Sequence, residues 1–276
     1  MQPDMPTLST SRIQGKFRQL QEARAKGLVI YITAGDPSLE ATGSLLEAAQ
    51  NGGADIIELG IPFSDPLADG PVIQRASERA LAGGTTLSKV LRMLPEWRRR
   101  VQAPIVLFTY YNPILQYGLE KFAHEAGEAG ADGVLALDLS PEESASYIET
   151  MRKWNLDTVF LAAPTSTDER LQRVANASTG FLYLIARAGV TGERNQISES
   201  TWPLVERVRK ITQLPLAVGF GLSTPEQIRA VEELADAAVV GSAIVRRIEE
   251  HFSTEGAAAI ERYVRWLKQG AGSSPA

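Results

Sequence analysis

The sequence predicts a single (β/α)₈ barrel that spans the 276 residues. Eight short apolar runs recur along the chain, and each is followed by a longer segment with helical spacing. The runs are almost continuously hydrophobic, which is typical of parallel strands buried on both faces. An open doubly wound sheet uses the same alternation and is the second candidate. The ends, at about 1–10 and 270–276, are predicted to be flexible tails.

The predicted elements follow the chain in strict alternation. The strands are Leu28–Thr33, Ile56–Leu59, Pro104–Tyr110, Gly133–Leu137, Thr158–Ala162, Phe181–Ile185, Leu216–Val218 and Ala237–Val240. Helices are predicted at Leu39–Asn51, Leu87–Arg99, Leu119–Ala129, Glu142–Trp154, Asp168–Asn176, Trp202–Lys210 and Pro225–Leu234, with an extra helix leading at Arg12–Arg24 and one trailing at Ala257–Lys268. Ser140-Pro141 and Thr224-Pro225 each place a hydroxyl residue before proline, which is a helix start signal.

Composition limits the kind of partner and the chemistry. The net charge of −5 and the pI near 5.3 argue against a basic surface for nucleic acid. The chain has no cysteine, which excludes thiolate nucleophiles and disulfides, and its two histidines, His124 and His251, both fall on predicted helices. No apolar run approaches the ~18 residues of a membrane span. We therefore expect a cytoplasmic protein that acts on a small molecule.

Two loops at the carboxyl ends of the strands are unusually long. One runs from Gly60 to about Gly84 and carries a short helix, and the other runs from Arg187 to about Ser200. Active sites of this fold lie on these loops. Long loops in a compact domain usually have a function.

Glycines after the seventh and eighth strands predict a phosphate site. Gly219-Phe220-Gly221 ends the seventh strand and Gly241-Ser242 ends the eighth, and both lead into helices. Glycine lets backbone N–H groups approach an anion, and a helix N-terminus favours negative charge. Either glycine pair alone could simply permit a tight turn, but together they occupy the usual phosphate position of this fold.

Carboxylates are the remaining candidates for proton transfer. Lysines fall on helices or outer loops, which disfavours an imine-forming aldolase, and no cluster has metal-ligand spacing. Glu58 lies near the end of the second strand, where apolar neighbours would raise its pKa. A structural carboxylate is the alternative there. Asp69 precedes Gly70-Pro71 and could equally be a turn former or a helix cap. Asp65 is interpreted as part of a surface turn.

Aromatic residues gather at the predicted strand ends. They are Tyr31, Tyr110, Tyr111, Tyr183 and Phe220. Barrel interiors hold aliphatic residues more often than tyrosine, and a buried tyrosine needs a hydrogen-bond partner. The set suits a flat aromatic substrate, although core packing explains any single member about as well.

Seven motifs resemble the alpha subunit of tryptophan synthase. They are ELGIPFSDPLADGP at 58–71, YITAGDP at 31–37, FTYYNP at 108–113, APTST at 163–167, RAGVTG at 187–192, VGFG at 218–221 and VGSAI at 240–244. The resemblance runs from about residue 12 to 268 with motif order and spacing kept. It implies a (β/α)₈ barrel that cleaves indole-3-glycerol phosphate to indole and glyceraldehyde 3-phosphate in a retro-aldol reaction, without a metal or a Schiff base.

The resemblance also implies the role of each matching residue. Glu58 is the acid–base group that protonates C3 of the indole ring and helps deprotonate the glycerol hydroxyl, and Asp69 accepts the indole N–H. Tyr183 lies near the reacting glycerol. Substrate-binding positions are Tyr31, Tyr110, Thr191, Gly192, Phe220, Gly221, Gly241 and Ser242.

A partner is implied as well. The resemblance predicts that indole passes through a tunnel to a beta subunit in an α₂β₂ assembly. Pyridoxal phosphate is expected in the beta partner, and no cofactor is expected in this chain. The implied contact positions are Asp65, Pro66, Asn112 and Pro113. A stand-alone lyase that releases indole, and a weakened paralogue that acts as an allosteric partner, are the two alternatives.

The chain departs from the family pattern at five positions. They are Ala186, Ala188, Leu137, Ser140 and Ile30. Neither Glu58 nor Asp69 is among them, so the predicted chemistry is retained. The departures bear on closure of the loops over the substrate and on coupling to the partner.

Overall fold

The structure is a computed structural model that describes residues 11–185, 201–219 and 221–270. The strands are β1 Gly27–Thr33, β2 Ile56–Gly60, β3 Ile105–Thr109, β4 Gly133–Ala136, β5 Asp157–Thr158, β6 Phe160–Ala162, β7 Leu182–Ile185, β8 Leu216–Gly219 and β9 Ala237–Val240. The helices are α1 Arg12–Glu22, α2 Leu39–Gly52, α3 Pro71–Ala82, α4 Leu87–Arg98, α5 Tyr111–Tyr117, α6 Leu119–Ala129, α7 Ala145–Lys153, α8 Asp168–Ala177, α9 Thr201–Arg209, α10 Pro225–Glu232, α11 Ser242–Glu255 and α12 Ala258–Gln269.

The strands form a parallel barrel. Neighbours pair in chain order from β1 to β5, and β1 also pairs with β9, which continues through β8 and β7 to β6. Residue Val159 alone separates β5 from β6, and its N–H donates to the carbonyl of Val134 at 3.1 Å. The two segments are therefore halves of one barrel strand. The prediction of an eight-stranded α/β barrel is confirmed, and the predicted strands all occur.

Successive residues of each strand face opposite sides of the barrel wall, and both sides are buried. Along β1, Val29 packs in the barrel interior, whereas Leu28 and Ile30 pack against the surrounding helices. Period-two alternation places side chains on both faces, and both faces here are apolar. This explains why the strands appear in the sequence as continuous hydrophobic runs.

Helix α1 closes the end of the barrel where the strands begin. Its residues Ile13, Phe17 and Leu20 are buried and pack against the interior side chains, including Phe181 of the loop before β7. The ring centroids of Phe17 and Phe181 are 5.9 Å apart. With that end filled, the opposite end is left for a substrate.

One local prediction needs correction, and one helix was not predicted. The helix predicted over 142–154 is a 3₁₀ turn at Pro141–Glu143 followed by α7, and the Ser140 side chain bonds to Glu143 rather than capping the backbone. Helix α5 was not predicted, because its Asn-Pro sequence reads as a loop. The start of α10 is confirmed, since Thr224 and Gln227 form a capping box.

Among the described residues, no helix is both long enough and apolar enough to cross a membrane.

Candidate active site

Glu58 lies buried in the inner wall of the barrel. It is aligned with Tyr31 of β1 and Val106 of β3, and its side chain is 1% exposed. No described residue donates a hydrogen bond to its Oε1 atom. Burial away from water raises the pKa of Glu58 to about 8. The carboxyl is therefore mostly protonated at neutral pH and able to donate a proton, as predicted from its apolar neighbours.

The Asp69 carboxylate accepts a hydrogen bond from a tyrosine and does not cap a helix. The Tyr110 hydroxyl donates to Asp69 Oδ2 at 3.0 Å and accepts from the N–H of Ala68 at 2.9 Å. Burial raises the pKa of Asp69 to about 6, and the bond from Tyr110 opposes that rise. The interpretation of Asp69 as a helix cap is wrong, because the N-cap of α3 is Gly70 and no side chain caps that helix.

Tyr31 lies near both carboxyls. Its ring packs edge-on against Phe108, with centroids 5.0 Å apart, and its hydroxyl accepts a hydrogen bond from Thr33 at 3.3 Å. Burial is the main cause of its raised pKa, and the charges of Asp69 and Glu58 both add to it. The tyrosine thus stays neutral while it lines the space between the two acids.

Tyr183 of β7 faces the same interior. Burial raises its pKa well above the ordinary value, with the charge of Glu58 as a second cause. A Cβ added at Gly219 in the adjacent strand would collide with the Tyr183 hydroxyl. Glycine is thus required there for the tyrosine to extend toward the mouth. The structure brings Glu58, Tyr31 and Tyr183 together on the inner wall.

The N-terminus of α11 has the composition of an anion site. Gly241 is its N-cap, no side chain of the described residues caps the first turn, and that turn holds no acidic residue. Ser242 is the first helical residue, and Gly221 has a φ of +71°, a conformation that favours glycine. Unpaired N–H groups at such a terminus attract phosphate. The predicted positions Thr191, Gly192 and Phe220, and the departures Ala186 and Ala188, lie outside the described residues.

Two aromatic residues of the mouth were not predicted as site residues. Phe108 points into the barrel beside Tyr31, and Phe63 stacks at a tilt on Tyr110 with centroids 5.1 Å apart. The signal for Phe108 was its spacing of two from Val106, which places both side chains on the interior face. Phe63 had no such signal, since it lies in a loop.

Neither the lysines nor a cluster of metal-binding side chains suggests a different chemistry for this site. The seven lysines are on helices or outer loops. Within 11–185, 201–219 and 221–270, no group of three or more His, Cys, Asp or Glu side chains could hold a metal ion.

Comparison with known proteins identifies the family. The family model of the tryptophan synthase alpha chain matches residues 17–271. The chain belongs to the tryptophan synthase alpha chain family. The alpha chain is the lyase subunit of tryptophan synthase, so membership places the chain in tryptophan biosynthesis as an aldolase-type carbon–carbon lyase.

Individual members of the family align with this chain over almost their full length. The tryptophan synthase alpha chain of Solibacter usitatus is 52% identical and covers 95% of this chain and 99% of its own. That of Geobacter sulfurreducens is 48% identical, with coverage of 95% and 100%. The crystal structure of the alpha subunit from Legionella pneumophila has a TM-score of 0.87 at 38% identity, covering 95% of this chain and 98% of its own. The resemblance inferred from the motifs is confirmed.

Proposed function

We propose that the chain cleaves indole-3-glycerol phosphate at the mouth of the barrel, with Glu58 as the acid–base residue. The observation that carries this proposal is the buried Glu58 carboxyl, which has a pKa of about 8 and an Oε1 atom without a hydrogen bond. A proton donor in that state can protonate C3 of the indole ring near neutral pH. The ring nitrogen then becomes the electron sink, so the reaction needs neither a lysine imine nor a metal.

Asp69 supports the protonation step, after which the carbon–carbon bond breaks. An ionised carboxylate accepts the indole N–H and stabilises the indolenine formed when C3 is protonated. Removal of the glycerol hydroxyl proton by the Glu58 carboxylate then breaks the bond between C3 and the glycerol carbon. The bonding electrons return to the ring, and indole and glyceraldehyde 3-phosphate are released. Tyr183, neutral and close to Glu58, is placed to bond to the reacting glycerol.

Binding is assigned to the two ends of the substrate. The aromatic side chains of Tyr31, Tyr110 and Phe220 would hold the indole ring. The N-terminus of α11 at Gly241 and Ser242, together with Gly221, would hold the phosphate. Gly192 is assigned to the phosphate as well, and Thr191 to substrate binding, both from the motif alone.

The assay that tests this proposal measures indole and glyceraldehyde 3-phosphate released from indole-3-glycerol phosphate by the purified chain. We expect cleavage by the chain alone and faster cleavage after addition of a beta subunit. Equal rates with and without beta would indicate the stand-alone lyase. No cleavage, with stimulation of beta activity, would indicate the allosteric paralogue and contradict the proposal.

The partner surface is proposed to lie on the β2–α3 loop and helix α5. Asp65 and Asn112 are exposed there, beside the half-buried Pro66 and Pro113. Two large apolar side chains of the same segments also face solvent: Leu67 is 92% exposed and Leu115 is 52% exposed. Exposed apolar patches commonly mark a protein interface, and these two side chains are the candidates for one here.

This surface is joined directly to the proposed active site. Tyr110 is the N-cap residue of α5, and its hydroxyl bonds both to Ala68 and to Asp69. A partner that shifts α5 or the loop would thus move the Asp69 carboxylate. We propose that beta binding is coupled to cleavage through this tyrosine, in an α₂β₂ assembly whose pyridoxal phosphate belongs to beta. A cytoplasmic location stays a prediction.

Changing Leu115 to Glu is expected to weaken binding of a beta subunit by about 10-fold to 100-fold, since a buried unpaired charge is costly at an interface. Because the Leu115 side chain is more than half exposed, the substitution should not disturb the barrel core. Cleavage without beta should therefore stay within about twofold of wild type. Titration calorimetry gives the affinity. The matched control is Trp202→Glu, which introduces the same charge at a 48% exposed apolar side chain of α9 and should leave beta affinity unchanged. Unchanged beta affinity in Leu115→Glu would contradict the proposed surface.

A further inference from the structure

A group of ion pairs joins the two helices that frame the proposed substrate. Helix α3 begins two residues after Asp69, and helix α11 begins at Ser242. The indole end of the substrate is assigned to Asp69, next to the start of α3, and the phosphate end to the start of α11. The distance between Asp69 and Ser242 therefore depends on how α3 and α11 are held against each other. This inference rests on the proposed function.

The packing between the two helices is apolar. Val72 and Ala76 of α3 contact Val245 of α11 and Tyr31 beneath them. Ala76 is fully buried and has a short side chain, so it restricts sliding along the helix axis only weakly. Another contact is needed to fix the relative position.

Charged side chains supply that contact along one edge of this packing. Glu249 of α11 lies between Arg75 and Arg79, which are one turn apart on α3. Arg75 Nη2 donates to Glu249 Oε2 at 3.1 Å, and Arg79 Nη1 donates to Glu249 Oε1 at 2.7 Å. One carboxylate thus binds two successive turns of the opposite helix.

Arg79 also binds the loop after β1. Its Nε and Nη2 atoms donate to the two oxygens of Asp36 at 2.8 Å and 2.9 Å, and Asp36 is 2% exposed. The fork of an arginine fixes both distance and orientation when both oxygens accept. Such a pair, desolvated on the carboxylate side, resists displacement more than an exposed pair does.

The Asp36 loop is itself immobilised. Gly35 has a φ of +86°, and an added Cβ there would collide with Thr85, which follows α3. The Gly35 N–H donates to Thr42 Oγ1 of α2 at 2.9 Å. Asp36 therefore provides a fixed point on the barrel, from which Arg79 holds α3 and, through Glu249, α11.

The Asp69 loop follows α3 because it is bonded to the first turn of that helix. Gln74 Nε2 donates to the carbonyl of Asp69 at 2.9 Å and to that of Pro66 at 3.3 Å. A rotation of α3 would thus carry Asp69 with it. We infer that Arg79 and Glu249 are positioning residues that set the separation of the indole-binding and phosphate-binding ends of the site.

The test compares ligands that bind only the indole-binding or only the phosphate-binding end of the site with a two-ended ligand that binds both. Probes are indole, inorganic phosphate, and a non-cleavable indole joined to phosphate by a propyl chain. For Arg79→Lys and Glu249→Gln, we expect the two-ended ligand to bind about 10-fold more weakly and kcat/KM for the substrate to fall similarly. The dissociation constants of indole and of phosphate should change less than twofold. Arg79→Met should have a larger effect than Arg79→Lys.

Controls separate positioning from damage to the fold. Arg262→Gln removes a comparable exposed ion pair, with Glu255 on the outer helices, and should change nothing. Because Glu249 is about one-third exposed, its variant remains a test if an Arg79 variant fails to fold. Equal weakening of one-ended and two-ended ligands, or no weakening in folded variants, would overturn the inference. Failure of the wild type to cleave substrate would instead count against the proposed function, since the ratio of binding constants is measured without turnover.

Discussion

Replacing Glu58 by Gln is expected to lower the rate of indole-3-glycerol phosphate cleavage by ~10²–10⁴-fold, the range for loss of a positioned acid or base. The amide keeps the shape of the side chain but cannot exchange a proton with C3 or with the glycerol hydroxyl. Steady-state release of indole measures the effect, and it should appear in kcat more than in KM, because the lost interaction belongs to the transition state.

Asp157→Asn is the matched control, since Asp157 is another buried acid with an oxygen that accepts no bond from the described residues, at the opposite end of the barrel. Its activity should stay near that of wild type. A Glu58→Gln variant as active as Asp157→Asn would contradict the assignment of Glu58.

Stability gives a second measurement on the same variant. The folded-state pKa of Glu58 is raised from 4.5 to about 8, so the folded state binds the proton more tightly than the unfolded state. The contribution of Glu58 to stability is then greatest below pH ~4.5 and decreases until pH ~8. Removing the acid abolishes that decrease, which at 1.36 kcal/mol for each pKa unit is at most ~5 kcal/mol. We expect Glu58→Gln to unfold at higher temperature than wild type at pH 9.

The pH profile of kcat/KM is expected to be bell-shaped, with limbs near pH 6 and pH 8. Asp69 must be ionised to accept the indole N–H, and its pKa is about 6. Glu58 must be protonated to donate to C3, and its pKa is about 8. Outside these limits the rate should fall about tenfold for each pH unit. Initial rates between pH 5 and pH 9.5 at low substrate concentration measure the profile.

Two variants assign the acidic limb. Asp69→Asn should lose most activity, and the remaining rate should lack the decrease below pH 6. Tyr110→Phe removes the hydrogen bond that lowers the pKa of Asp69, so the limb should move to higher pH. A limb that stays in place in both variants would mean that another group controls it. Tyr117→Phe is a matched control, because that hydroxyl bonds to Glu125, away from the mouth.

The amino-acid sequence by itself determined the barrel and singled out Glu58 as the candidate acid. Parallel strands buried on both faces are apolar throughout, so the runs that became β1 and β9 were recognisable without tertiary information. Glu58 stood out because it follows Ile56 and Ile57 in such a run, where a carboxyl must lose water. The direction of its pKa shift followed from that local setting, and the structure confirms it.

Local sequence patterns gave wrong or missing predictions where the same residues fit more than one backbone conformation. Asp-Gly-Pro at 69–71 fits a helix cap, yet Asp69 bonds to Tyr110 instead. No helix was predicted at Asn112-Pro113, yet the pair lies in the first turn of α5, where proline is tolerated because the N–H groups are unpaired in any case. In both places a distant contact or a neighbouring helix decided between conformations of similar local energy.

Tertiary structure alone decided how the site is held together. Tyr110 and Asp69 are 41 residues apart, and Arg79 and Asp36 are 43 apart. Barrel closure brings successive βα loops to one rim, and only there can such side chains meet. A hydrogen bond or ion pair depends on distances of about 3 Å, and sequence spacing sets such distances within an element but not between elements. Glu58 could therefore be singled out from the chain as the candidate acid, whereas the contacts that hold Asp69 and Arg79 could not be predicted.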